Sequence, residues 1–441
     1  MMCEIMVDPR VDDISMPENL RVGLFVAEQR KRCDKIGCNM EFYSFGFGQS
    51  PFHVPPPLER SLGGSAHMGH YSAAEGIEEL RKAISGFNKR HFGLDVDPSR
   101  IVVGHGTKGL MYTLFFILGG SVIIPSPSWI GYAPQLKLHG KEYHILQMEA
   151  ENGYKIDPQS LEDLLTKLPE EQHLLILNNP HNPTGAVYTR GEMEKIAQVC
   201  RDRHTLILSD EIYALTTYRF ENFTSMGRIY PEGSFVTNGL SKDRSAGGYR
   251  LGSCILPEYC SDKLKNDFTK VAATVYTNVS TPTQNAAITV YEPNEEIEEY
   301  FRITREIHRI MGTEISQSLN EIDGIRATKP EGAFYLLADF NQLSEELKKR
   351  GVMSSNELAK SLIDHPHHIT TVTGDAIMVK PDNFSARMAF VDYDGKRAFE
   401  AFREDPPKSR SAESVFAREE GTRMFTGVAE LKKYVDKIKK R

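Results

Sequence analysis

The chain has 441 residues, 40% hydrophobic and 26% charged, with 53 Lys and Arg against 60 Asp and Glu for a formal net charge of −7. That length asks for one large domain and a smaller one, and the mildly acidic balance gives no electrostatic reason to expect nucleic acid or an anionic membrane as partner. No apolar run approaches a membrane span, and "MMCEIMVDPRVDDISMPENL" at the N-terminus lacks an apolar signal core, so a cytoplasmic chain is expected.

Cys3, Cys33, Cys38, Cys200, Cys254 and Cys260 are scattered with neither zinc-site nor disulfide-framework spacing, which points to reduced thiols and no metal site. In chain order, residues 18–36 read as an amphipathic helix ending at Gly37. The following "FYSFGFGQSPFHVPPPLERSLGGS" (42–65), broken by Pro and Gly, reads as loop. From about residue 75, helical periods alternate with short aliphatic runs, the pattern of an α/β fold. The runs are "RIVVG" (100–104), "SVIIPSP" (121–127), "HLLILNN" (173–179), "TLILSDE" (205–211), "SFVTNG" (234–239) and "RLGSCILP" (250–257), with a helix over 189–204 among them. A mostly parallel sheet with helices on both faces is the economical arrangement. After about residue 310, "EGAFYLLADF" and "SARMAFVDYDG" read as strands of a smaller α+β unit. Residues 404–424 read as an exposed loop before the helix "VAELKKYVDKIKKR".

In an open parallel sheet, ligands bind beyond the carboxyl ends of the strands. Those ends carry "GHGTKG" (104–109), "PSPSW" ending in Trp129, "NNPHNPTG" with Asn182, "SDEIY" with Asp210 and Tyr213, and "NGLSKDRSAGGYRLG" (238–252) with Lys242. Alone, each has a plain structural reading: a turn, a cap, a core tryptophan, a solvated lysine. "GHGTKG" matches a dinucleotide fingerprint, yet the next strand ends without the carboxylate that a ribose needs. The same loop still suits one phosphate at a helix N-terminus. Taken together, a lysine amine suited to an aldehyde and an arginine, Arg250, folded back by "SAGG" to hold a phosphate point to pyridoxal 5′-phosphate.

"HNPTG", "SDEIY" and "SKDRSAGGYRLG", supported by "GHYSAAEGIEELRKAI" (69–84), "KPEGAFYLLADF" (329–340) and "SARMAF" (385–390), resemble the class I/II aminotransferases, the aspartate aminotransferase-like fold type I pyridoxal-phosphate enzymes. The resemblance spans about residues 40–400. It implies a large cofactor-binding domain over 56–310 and a small substrate-closing domain built from 1–55 and 311–441. It implies an enzyme that moves an amino group from an L-amino acid to a 2-oxo acid by a ping-pong mechanism. Lys242 resembles the internal-aldimine lysine and general base, Asp210 the partner of the ring nitrogen, and Tyr213 and Asn182 the partners of the ring hydroxyl. Trp129 would stack on the ring. Gly106, Thr107 and Lys108 would offer N–H groups to the phosphate, with Ser241 and Arg250 beside it. Tyr71 resembles the tyrosine that reaches the partner subunit's phosphate, which implies a homodimer with shared active sites. Arg387 resembles the clamp for the substrate α-carboxylate, and Gly48 the glycine lining that site beside Asn182.

Two positions depart from the family pattern. Gly239 stands where a hydroxyl residue commonly meets the phosphate. The segment "TGDAIMVKPDNF" before Arg387 keeps only Gly374 of the common lid. No arginine stands out for a substrate's distal carboxylate, so the sequence does not support a dicarboxylate preference. The motifs also leave open a C–S lyase or an aminocyclopropane-carboxylate synthase-like elimination at the same site, or a catalytically silent homologue.

Overall fold

A computed structural model of the chain describes residues 6–36, 40–364 and 366–440. Its centre is a seven-stranded sheet in the spatial order Ile101–Gly104, Gly252–Ile255, Ser234–Gly239, Leu206–Asp210, His173–Asn178, Ser121–Ser126, Tyr143–Gln147. The last five run parallel to one another, while Gly252–Ile255 is antiparallel to both of its neighbours, Ile101–Gly104 and Ser234–Gly239. The strands are apolar throughout because both faces are covered. Val122, Ile124, Leu174 and Ile176 join one core cluster, and the intervening Ile123, Leu175 and Leu177 join another. The sheet is therefore mostly parallel with helices on both faces, as expected.

The sequence missed one strand of this sheet. Tyr143–Gln147 pairs only at an edge, against Ser121–Ser126, and is mostly half-exposed, so its apolar signal is diluted. The helix expected over 18–36 forms as Glu18–Ile36, while Gly37 lies outside the described residues.

A second, four-stranded antiparallel sheet has the order Val372–Thr373, Ser385–Ala389, Tyr335–Asp339, Arg326–Ala327. A parallel pair, Tyr43–Ser44 with Ile369–Thr370, brings the start of the chain to this end of the molecule. The 26-residue helix Glu295–Asn320 buries Phe301, Ile307, Met311 and Ile315 along one face in the same core as Phe334 and Phe390.

Three expectations are corrected. Residues 42–65 are not loop throughout, because Pro56–Ser65 is a helix. Prolines at the first turn lose no intrahelical bond and are preset for helical φ, so the run that reads as a breaker starts an element. Within 404–424, Arg410–Glu420 is a helix whose N-terminus Ser409 caps by accepting from the Ala412 N–H, with Phe416 and Ala417 buried. Two apolar residues in a polar stretch are too few to show a period. Finally, Cys33 is disulfide-bonded, whereas Cys200, Cys254 and Cys260 are free thiols. Spacing along the chain says nothing of which Cβ atoms a fold brings within reach.

Candidate active site

Strand register assembles the first half of the site. Asn178 pairs with Asp210 and Asp210 with Thr237, so three adjacent strands end side by side. The Asp210 carboxylate is buried, and its Oδ2 accepts from the Tyr132 hydroxyl at 2.7 Å. Its Oδ1 accepts longer bonds from the Ile212 N–H and the Thr237 hydroxyl, both at 3.4 Å. Burial pushes its pKa up, against the lowering effect of the Tyr132 bond. An anion so placed is stabilised by a cation brought to it.

The "HNPTG" turn is braced internally. Asn178 Oδ1 accepts from the Asn182 N–H at 2.7 Å, and His181 Nδ1 lies 2.8 Å from Thr184 Oγ1. Burial lowers the His181 pKa to about 4, so the imidazole is a neutral brace at ordinary pH. Asn182 Nδ2 then sits 3.5 Å from the Tyr213 hydroxyl, and Asn182 Oδ1 is buried without a partner. Tyr213 and Asn182 thus converge on one point, with Tyr335 closing the far side through an Oη–Oη contact of 2.9 Å.

The phosphate-type loop is built by close approach. The helix Gly106–Ile117 opens with Gly106 at φ +69°, and a Cβ there would lie 2.7 Å from Arg250 Nη2. A Cβ at Gly252 would lie 2.7 Å from the Thr107 N, so glycine at both positions lets the strand and the helix start meet. Arg250, at φ +53°, turns its guanidinium back to donate to the Gly247 and His105 carbonyls at 2.6 and 3.3 Å. Helix-start N–H groups lack intrahelical partners, so together with Arg250 they can hold an anion. The Lys108 side chain rises from the same turn, with its Nζ 5.3 Å from the Trp129 ring centroid. Burial, then Arg250 and Lys242, lower its pKa, and among the described residues no carboxylate pairs with it. Trp129 itself stands edge-on to Tyr132, with centroids 5.0 Å apart. Gly239, where a hydroxyl residue is usual, has no room for one: a Cβ would meet the Leu251 carbonyl at 2.8 Å and the Gly252 Cα at 2.9 Å.

The second half of the site comes from the loop after Tyr43–Ser44. The Lys242 Nζ donates to the Gly48 carbonyl at 2.8 Å and faces the rings of Tyr213 and Phe334 at 5.6 and 5.4 Å. Two residues earlier, the Gly46 carbonyl accepts from Arg387 Nη2 at 2.6 Å. Arg387, on Ser385–Ala389, is only 3% exposed, lies over the Tyr335 ring at 4.7 Å and has an unpartnered Nε. Burial lowers its pKa, yet a guanidinium keeps its charge in a protein. Among the described residues no carboxylate compensates it, and a buried cation left so is costly unless an anion arrives.

Sequence reasoning missed Tyr132, Tyr335 and the Gly46 carbonyl. Tyr132 opens the helix Tyr132–Leu138 three positions after Trp129, and Tyr335 lies inside the quoted "EGAFY", so both were near a signal. A carbonyl has none. Ser241 is half-buried on the lysine loop and makes no side-chain hydrogen bond among the described residues. Tyr71 is 88% exposed and far from being packed into its own chain. A cleft of about 960 Å³ opens beside Trp129, between Ile14–Phe25 and Thr371–Met378, but neither Lys242, Asp210 nor Arg387 lines it.

Residues 58–392 match the family model described as aminotransferase class I and II. Aspartate aminotransferase of Bacillus sp. (strain YM-2) is 34% identical over 335 residues, 74% of this chain and 81% of the relative. That of Bacillus subtilis (strain 168) is 33% identical over 331 residues, 72% and 80% of the two chains. Among solved structures, aspartate aminotransferase from Thermus thermophilus with maleate shares the fold at a TM-score of 0.78 and 24% identity, covering 94% of this chain and 100% of that one. With its strand-end motifs gathered in one crevice and three quarters of its length aligned, the chain belongs to the class I and II aminotransferases.

Proposed function

We propose that the protein moves an amino group from an L-amino acid to a 2-oxo acid in a ping-pong cycle with pyridoxal 5′-phosphate as cofactor. One observation carries this reading. The carbonyls of Gly48 and Gly46, two residues apart, hold the Lys242 amine and the buried, unpaired Arg387 guanidinium. A nucleophilic, proton-carrying amine next to a desolvated carboxylate receptor is what an amino acid substrate requires.

The residues present fit the cofactor. Among the described residues buried Asp210 makes no ion pair, Asn182 and Tyr213 converge on one point, and Arg250 lies over the Gly106 turn. When bound, the cofactor supplies an aldehyde for amines and an electron-withdrawing ring. Asp210 would favour a protonated ring nitrogen by its charge, with Tyr132 keeping Asp210 oriented. The Gly106, Thr107 and Lys108 N–H groups, Ser241 and Arg250 would hold the phosphate. Arg387 fixes the α-carboxylate, which sets the direction of the Cα–H bond. Lys242 would take the Cα proton and deliver it to the carbon that carried the aldehyde, with the Gly48 carbonyl holding the amine between transfers.

The Bacillus relatives named aspartate aminotransferases make aspartate the first donor to test. Lys108, a cation without a carboxylate partner, is the candidate for a second carboxylate. The exposed Tyr71 supports a homodimer in which it reaches the partner subunit's phosphate. The division into 56–310 and 1–55 with 311–441, and a cytoplasmic location, belong to the same reading. Among the described residues no helix is long and apolar enough to cross a membrane.

The test is a donor panel with 2-oxoglutarate and pyruvate as acceptors, on protein whose yellow colour borohydride removes. Acceptor-dependent transfer with parallel-line kinetics is expected. Oxo-acid release without an acceptor would replace transfer by elimination, and colourless protein that binds no cofactor would overturn the whole reading.

A further inference from the structure

The loop that presents the Gly46 and Gly48 carbonyls is fastened to the lysine loop by a row of hydroxyls. Ser50 Oγ lies 2.6 Å from Ser245 Oγ, and Ser245 Oγ lies 2.7 Å from Tyr300 Oη. Tyr300 Oη donates to the His53 carbonyl at 2.7 Å. The chemistry of these groups sets the direction of the row. A carbonyl only accepts, so the Tyr300 proton is committed to His53. Ser245 must then donate to Tyr300, and Ser50 to Ser245.

The row starts and ends on the same segment, at Ser50 and His53, and passes through the residue three positions after Lys242. Ser50 and Tyr300 are 5% and 4% exposed and Ser245 is half-buried, so water competes for the two hydroxyl–hydroxyl bonds less than at an open surface. Ser245 sits at φ +53°, a region that residues other than glycine seldom occupy, in a turn where Ala246 N–H donates to the Leu240 carbonyl at 3.0 Å. The left-handed turn is what points its hydroxyl at both partners.

We infer that Ser245 and Tyr300 are positioning residues: with Ser50 they hold the 46–53 segment where the Gly48 carbonyl meets Lys242 and the Gly46 carbonyl meets Arg387. The inference rests on the roles of Lys242 and Arg387 proposed above. Ser50 and Ser245 are 195 residues apart in sequence, so the register of the two loops depends on contacts of this kind. A slip of about 1 Å would take a 2.8 Å bond at Lys242 beyond hydrogen-bond range. A misplacement of that size far from the chemistry costs up to about 100-fold in rate.

Tyr300→Phe removes the Oη and keeps the ring against Phe399, 5.5 Å away. Ser50→Ala removes the first donor. The holoenzyme and these variants, alone and combined, are compared by hydrogen exchange, by melting temperature and by kcat and KM for the donor. Exchange over 46–53 should rise several-fold while the strand His173–Asn178 stays protected. Turnover should fall about tenfold in each single variant, with the cofactor absorbance retained. The double variant should be no worse than the poorer single, because both break one row. Unchanged exchange over 46–53, turnover within about twofold of wild type, or losses that simply add would overturn the inference. A wild-type enzyme that transfers amino groups from no donor overturns the functional reading instead, and the exchange result alone then decides whether the row fastens the segment.

Discussion

The two halves of the site treat charge differently. At the ends of the parallel strands, Asp210 is held by Tyr132, Thr237 and a backbone N–H, and the Asn182 turn is braced by Asn178. Facing it, on the antiparallel sheet, Arg387 has a single carbonyl and a ring face and no counter-charge among the described residues. The first half is pre-organised by side chains fixed in register. The second is left electrostatically incomplete, and main-chain oxygens of one loop hold both Arg387 and, across from it, the Lys242 of the strand-end side. A carbonyl orients a cation without neutralising it, which leaves the charge available for a substrate carboxylate.

Substitutions on the two sides should therefore fail in different ways. The largest effect is expected from Lys242→Ala, which removes nucleophile and base together. Turnover should drop by many orders of magnitude, since acid–base transfer alone is worth about 10²–10⁴-fold. Folding and some cofactor binding should survive, and a variant keeping a tenth of wild-type turnover would break the assignment. Next is Arg387→Lys, which keeps the charge and loses the planar fork. We expect kcat/KM for amino acids to fall by about 100-fold or more with cofactor uptake unchanged. Loss of cofactor instead would erase the contrast between the halves.

Gly48→Ala probes the loop itself. A Cβ there would lie 2.1 Å from the Tyr335 Oη, so either the loop with its Gly46 and Gly48 carbonyls or the Tyr335 ring that bonds Gly48 must shift. Turnover should fall about tenfold and stability by about 1–3 kcal/mol, as for other overpacked sites. Gly63→Ala, in the helix Pro56–Ser65 with nothing within 4 Å, is the control and should melt no lower than wild type.

The smallest effect on turnover is expected at Glu211, buried beside Asp210. Its Oε1 accepts from the Ser209 and Ser225 hydroxyls and the Met226 N–H, and burial raises its pKa from 4.5 to about 7. The folded chain thus keeps this proton through a window in which the unfolded chain releases it. The group's contribution to stability is full below pH 4.5 and is lost as pH rises towards 7. Glu211→Gln cannot titrate, so the wild-type minus variant stability should decline by up to about 3 kcal/mol across that window and be level above it. A flat difference from pH 4.5 to 8 would show that Glu211 titrates in the folded chain as it does in the unfolded one.

How far the site was legible follows the same division. Asp210, Asn182, Tyr213 and Lys242 follow short apolar runs, so position after a strand, together with their order, marks them, and Arg250 is marked by its spacing from Lys242 across "SAGG". Arg387 stands in a plain strand and was legible only through the family likeness of "SARMAF". Lys108 was read for its N–H, whereas its ammonium, over Trp129, is the less expected feature. Pro56–Ser65 and Arg410–Glu420 were misread because local composition was polar or proline-rich, while burial of a few side chains held them helical.

By itself, the amino-acid sequence determined the parallel sheet, the order of its strand-end motifs and the family. Apolar periodicity and turn chemistry are local properties that a chain carries before it folds. The tertiary structure alone decided that Gly46 and Gly48 would hold Arg387 and Lys242, that Tyr335 would bridge Tyr213 to Gly48, and that Ser50 would meet Ser245. Those contacts join residues 122–341 positions apart, several through backbone atoms that every residue possesses. A carbonyl acquires a role only from where the fold puts it, and no pattern of side chains announces that beforehand.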